Sequence, residues 1–308
     1  MVGDVERGLP PSSLLLFCSL LIGTSTAYAD GNAASFCAKM SQQNTPKNYS
    51  TLLQAEVKSY EQSAKFRNKI AELNGRKNVD WDGGRIGEIA TELRKVVDKS
   101  VYSILELGAG PGLITRYAQQ LAAKAHSSSG PVRVDGVELV AGWVRAARDF
   151  ASTRPVKGTH FHFQRGDITN ISLGVTYDLI YMADSIEHVP KFRRGALWEV
   201  LAGHSHTGSR LYLHFPNVQK QRAEQRRQHT PAHASAGKGS GRQLRQYFEE
   251  VLKINELVMG GCCVGFRTKS YKDHGNGKGG YVSVHLVKEG TASLRGCRKG
   301  GQRPASSE

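Results

Sequence analysis

Cysteine is scarce in this chain, at 5 of 308 residues. Apart from the adjacent Cys262 and Cys263, its cysteines stand far apart. That pattern excludes a small disulfide-stapled scaffold and the paired Cys-x-x-Cys spacing of a structural zinc site. Cys262 and Cys263 read as strand or loop residues. Long apolar runs are also lacking. The longest, around Leu14 to Ile22, is too short to span a bilayer as a helix. Acidic side chains are outnumbered, 27 against 42 basic ones, which gives a net charge of +15. Such a surplus favours anionic partners. Its densest stretches, 220–242 and 288–303, do not interleave aromatics with cations as a single-strand-binding groove does. A nucleic-acid partner is therefore not expected. No internal repeat is visible.

What is present suits a packed domain, since 39% of the residues are hydrophobic. The apolar run near the N-terminus is followed by Ala27-Tyr28-Ala29 and then Asp30. This is the order of a secretory signal peptide over 1–29, cut after Ala29. Residues 30–50 contain a single acid, Asp30, and are rich in Ser, Asn, Gln and Thr. They read as a linker or a transit-like segment. Entry into the secretory pathway is expected, with a bipartite address to a plastid as the alternative.

Helical spacing marks 51–73, stopped by Asn74-Gly75, and 85–97; together they form an N-terminal helical cap over 51–100. From residue 101, apolar strands alternate with amphipathic helices. Strands are expected at 101–107, 132–139, 160–164, 177–182 and 210–215. Helices are expected at 113–124, 142–150, 197–202 and 247–259. Two last strands, 262–269 and 281–287, read as a hairpin. The pattern predicts a doubly wound, mostly parallel seven-stranded α/β sheet over 101–289, with helices on both faces and a C-terminal antiparallel hairpin. A basic insert at 217–242 interrupts it, and a basic tail occupies 290–308.

Glu106-Leu107-Gly108-Ala109-Gly110-Pro111-Gly112 lies between the first strand and its helix. Glycines there let a ligand approach the backbone, and the helix N-terminus offers free N–H groups. A dinucleotide fingerprint would need a small residue where Leu113 stands. The segment instead resembles the acidic-x-Gly-x-Gly-x-Gly signature of class I methyltransferases, in their broad small-molecule branch. The landmarks that follow keep the family's order: Gly136-Val137-Glu138, Gln164-Arg165-Gly166-Asp167-Ile168, and Tyr177 to Val189.

The resemblance implies S-adenosylmethionine as cosubstrate. Glu106, Gly108, Ala109, Gly110 and Gly112 would face its amino-acid end. Glu138, with Leu139 beside it, would take the ribose hydroxyls; Asp135 is the rival. Asp167 would accept the adenine amino group while Ile168 packs on the ring, and Ala183 completes the set. Asp167 also reads as a turn residue.

Methyl transfer to a hydroxyl or an ammonium needs a proton acceptor, for which Asp184 and His188 are the candidates. Asp184-x-x-Glu187-His188 is similar to a cation-binding motif of some relatives that begins with Glu. With Asp in that place, no metal is assigned. Trp81 and Arg85 in the cap, and Arg222, Arg226, Arg227 and His229 in the insert, are candidates to bind an acceptor carboxylate or phosphate. The expected function is methylation of a small molecule, anionic ones included, on oxygen, nitrogen or carbon. A protein or RNA methyltransferase and a non-catalytic donor-binding subunit remain alternatives, and the sequence leaves the oligomeric state open.

Overall fold

The computed structural model describes residues 32–41, 45–75, 84–126, 131–228, 252–275 and 280–290. The signal peptide expected at 1–29, Trp81, His229, most of the insert beyond it, and all of the tail after Gly290 lie outside the described residues. Among those described, no helix is long and apolar enough to cross a membrane.

The cap comprises α1 (Asn32–Ser41), α2 (Tyr49–Gln62), α3 (Ala64–Gly75) and α4 (Gly84–Val96). Part of the stretch read as linker is thus the helix α1. The expected single helix at 51–73 is two, parted at Ser63, which takes an extended ψ and whose hydroxyl donates to the Tyr60 carbonyl at 2.7 Å. A side-chain hydroxyl that satisfies backbone groups competes with helix continuation.

Next come β1 (Ser103–Leu107), α5 (Leu113–Ala125), β2 (Val132–Glu138), α6 (Ala141–Thr153), β3 (Thr159–Arg165) and β4 (Tyr177–Ala183). They are followed by α7 (Lys191–Gly203), β5 (Ser205–Pro216), α8 (Val218–Gln228), α9 (Ile254–Cys263), β6 (Phe266–Asp273) and β7 (Tyr281–Lys288). The sheet order is β3-β2-β1-β4-β5-β7-β6. Its first five strands are parallel, and β7 and β6 run antiparallel. The doubly wound sheet and terminal hairpin expected from the sequence are both present.

Several boundaries differ: β5 begins at Ser205 and not at 210, and of the helix expected at 247–259 the described part begins at Ile254. Helix α7 begins at Lys191, directly after Pro190, well before the expected start. Cys262 and Cys263 close α9 and do not start a strand, because Gly265, at φ +84°, turns the chain into β6 only afterwards. Cys263 is bonded to Cys37 of α1, 226 residues away. Nothing in the spacing of the cysteines signals that pairing.

Alternation along the strands divides the core between the two faces. Leu105, Leu107, Ile180, Met182, Leu213 and Phe215 pack with Trp198 and Leu201 of α7. Ile104, Leu179, Tyr181 and Tyr212 pack on the other face with Ile89 and Leu93 of α4 and Tyr117 of α5. Glu106 and His214 sit in the same alternation as Tyr181 and Tyr212, and so face α4. After β3 the chain crosses to β4, on the far side of β1. This reversal leaves a crevice above the C-terminal ends of β1 and β4, where open α/β sheets bind ligands.

Candidate active site

The crevice is one cavity of about 700 Å3. Gly108, Ala109 and Gly110 form part of its wall. Gly108 has φ +76°, and a Cβ there would lie 2.3 Å from the Ser185 Cβ. Both the backbone angle and the space demand glycine. Gly112 does not line the cavity; at φ +77° it caps α5, with Ala147 and Phe163 packed behind it.

Glu106 reaches the cavity floor from β1. Its Oε2 accepts hydrogen bonds from the Thr115 hydroxyl and, at 2.8 Å, from Tyr181. Burial pushes its carboxyl up to about 8, against the pull of those donors. Glu138 ends β2. Its two oxygens accept the backbone N–H groups of Gly110 and Val140, each at 2.8 Å, so it stitches the glycine turn to the start of α6. Burial raises its carboxyl as well. The rival Asp135 is buried below the cavity and engaged by Arg133 and Tyr177. Leu139 lines the cavity beside Glu138.

Asp167 holds a tight turn, its Oδ1 accepting the Thr169 N–H at 2.8 Å and the Thr169 hydroxyl at 2.7 Å. It still faces the cavity, next to Ile168. The turn reading and the ligand-facing reading therefore hold together.

The cap roofs the cavity with Tyr49, Leu53 and Tyr60. It is seated by Glu61, which accepts the Gly142 N–H at 2.7 Å, and by Phe66 set edge-on to Trp143 at 4.7 Å. A carboxylate at the first turn of α6 also suits the helix dipole.

The far end of the cavity holds Ala183, Asp184, Arg85 and Tyr281. Asp184 follows β4 at φ +55°, a rare angle for a residue with a Cβ. Its Oδ2 meets the Arg85 Nε at 2.8 Å, and its Oδ1 meets the His214 Nδ1 at 2.9 Å. His188 stands at the rim with its ring largely in solvent. The structure thus brings both candidates to the cavity, Asp184 inside it and His188 at its solvent-facing rim. His214 escaped sequence reasoning; its only signal was a titratable side chain in the apolar run Leu211 to Phe215. Arg222 is exposed on α8 and does not line the cavity. Among the described residues, no group of three His, Cys, Asp or Glu side chains is placed to hold a metal ion.

Residues 104–206 match the family model of the methyltransferase domain. That segment is a methyltransferase domain, and the sheet that carries it has the class I, Rossmann-like fold. No curated protein matches the chain. Among solved structures, the methyltransferase is similar to magnesium protoporphyrin IX methyltransferase from Synechocystis PCC 6803 with bound S-adenosylhomocysteine. The TM-score is 0.52 at 16% identity, over 77% of this chain and 100% of that one. The same protein with bound S-adenosylmethionine gives 0.50 at 15% identity, over 76% and 96%. The N-methyltransferase NodS from Bradyrhizobium japonicum WM9 gives 0.47 at 12% identity, over 68% and 100%.

Proposed function

We propose that the protein moves the sulfonium methyl of S-adenosylmethionine to a small molecule bearing a hydroxyl or amine. In this reading the donor lies along Glu106, the Gly108–Gly110 turn, Glu138 with Leu139, and Asp167 with Ile168. Its methyl points past Ala183 toward Asp184. Glu138 accepts the ribose hydroxyls, Asp167 the adenine amino group, and Glu106 the donor's ammonium.

The observation that carries the reading is the shape of the cavity. One continuous space joins the glycine turn to Asp184, and the cap helices roof it. Its volume is within the range of small-molecule sites, roughly 300–1,000 Å3. A roofed pocket admits a small acceptor and turns away a folded protein or a duplex. The similar Synechocystis protein is named for a porphyrin acceptor, which is also a small molecule.

Positioning does most of the work in such a displacement. Asp184 takes the acceptor's proton as the new bond forms, since a carboxylate at hydrogen-bond distance is a competent base. His188, exposed at the rim, is left without that role. We also propose that the protein enters the secretory pathway. The Cys37–Cys263 disulfide supports an oxidising compartment.

Calorimetry on protein starting at Asp30 tests the donor site, with S-adenosylmethionine and its demethylated product as ligands. Binding in the wild type, lost in Glu138→Ala and Asp167→Ala, is expected. No heat of binding from the folded wild type would sink the reading. Label transfer from methyl-tritiated donor to a panel of phenols, carboxylic acids and amines then finds the acceptor.

A further inference from the structure

His214 touches neither the cavity nor solvent, being wholly buried on β5. It nevertheless holds a cavity residue in two ways. Its backbone carbonyl accepts the Asp184 N–H at 2.8 Å, and its ring Nδ1 lies 2.9 Å from Asp184 Oδ1. Asp184 needs such a hold. At φ +55° it occupies a region strained for a residue with a Cβ, one that persists only where its surroundings enforce it.

We propose that His214 is a positioning residue for methyl transfer, fixing the Asp184 carboxylate where an acceptor hydroxyl or ammonium delivers its proton. The proposal rests on the reading of Asp184 as the proton acceptor. A nitrogen and a carboxylate oxygen at 2.9 Å require a proton between them, so Nδ1 carries it and donates.

The ring is confined on every side. Tyr281 of β7 stacks on it at 4.8 Å and 16°. His274, just past β6, stands 6.3 Å away, its own ring held by a hydrogen bond with Ser283 at 2.9 Å. Glu88 of α4 faces the other nitrogen, with Oε2 3.6 Å from Nε2, and neither of these buried atoms has a hydrogen-bond partner. An ordinary core histidine satisfies both nitrogens. This one spends its single short contact on the strained pocket residue and keeps Nε2 facing a second carboxylate. Arg85 on Oδ2 completes the clamp on a carboxylate that lines the cavity.

The step balances as follows. The lone pair of an acceptor hydroxyl, or the one an ammonium gains once Asp184 has taken its proton, forms a bond to the methyl carbon, and the carbon–sulfur electrons return to sulfur, which becomes a thioether. The acceptor's proton passes to Asp184. The sulfonium charge is lost and the carboxylate charge is neutralised. A carboxylate that swung toward Arg85 alone would miss the proton, so its orientation matters to the rate.

Two substitutions separate positioning from packing. In His214→Asn the amide nitrogen falls near the place of Nδ1, whereas in His214→Gln it falls near Nε2. Both are crystallised with S-adenosylhomocysteine, which is also titrated against each by calorimetry. The expected result is that His214→Asn keeps Asp184 at positive φ with its carboxylate hydrogen-bonded. His214→Gln releases it, and both bind S-adenosylhomocysteine within about twofold of wild type.

In wild-type protein labelled with 15N-histidine, the Nδ1–H signal of His214 is expected to be present and to move in Asp184→Asn. An Asp184 unmoved in both histidine variants, or a ring signal indifferent to Asp184→Asn, would overturn the proposal. Loss of S-adenosylhomocysteine binding in the wild type would instead count against the donor site, which the titration reads separately.

Discussion

The Cys37–Cys263 disulfide closes a loop of 226 residues, from the first described helix of the cap to the last described helix. Its removal by Cys37→Ser with Cys263→Ser should cost more than any other pair change outside the core. In the chain-entropy account a loop of that length contributes about 5 kcal/mol, and measured disulfides usually deliver 2–4. The local structure argues for a value inside that range. Helix α1 has only 10 residues, below the length at which a helix persists alone in water. It rests on α9 and α7, and its covalent tie is to α9. Cutting the tie frees α1 and enlarges the unfolded ensemble at once.

The assay is urea unfolding followed by the fluorescence of the buried Trp143 and Trp198. With a slope of about 3 kcal/mol per molar, a loss of 3 kcal/mol lowers the midpoint by about 1 M. A midpoint unchanged in the double variant, at equal slope, would refute the reasoning. It would mean that α1 detaches locally and that the tie contributes nothing to the cooperative unit.

Three further outcomes follow from the site. In Gly108→Ala, a Cβ meets Ser185 at φ +76°; backbone strain of about 1–2 kcal/mol adds to the clash, so thermal unfolding falls by several degrees and donor binding weakens at least tenfold. Glu138→Ala removes the acceptors for Gly110 and Val140 as well as the proposed ribose contact, and calorimetry should show donor affinity reduced by more than tenfold, about 1.4 kcal/mol. Burial raises the Glu106 carboxyl to about 8, so the folded empty protein keeps a proton that the unfolded chain gives up near its ordinary value of 4.5. The folded state then binds more protons between those two values, and stability contributed by the neutral carboxyl is lost as pH rises through that window. Urea midpoints at the two ends should show the decline in wild type, and Glu106→Gln should flatten it.

The sequence by itself determined the sheet and the glycine turn that walls the cavity. Alternating strands and amphipathic helices carry a local period, and a glycine turn between a strand and a helix is a local backbone requirement. Glu106, Gly108, Gly110, Glu138 and Asp167 were legible because each ends a strand or belongs to the turn that follows one. Boundaries slipped where a single residue redirects the chain, as at Ser63, Pro190 and Gly265. Only the tertiary structure decided the rest. It placed Gly112 behind the cavity wall, left His188 in solvent, joined Cys37 to Cys263, and set His214 between Asp184 and Glu88. Those relations link residues far apart in the chain, whose distances depend on sheet order and register. Neither quantity is written in the spacing of neighbours.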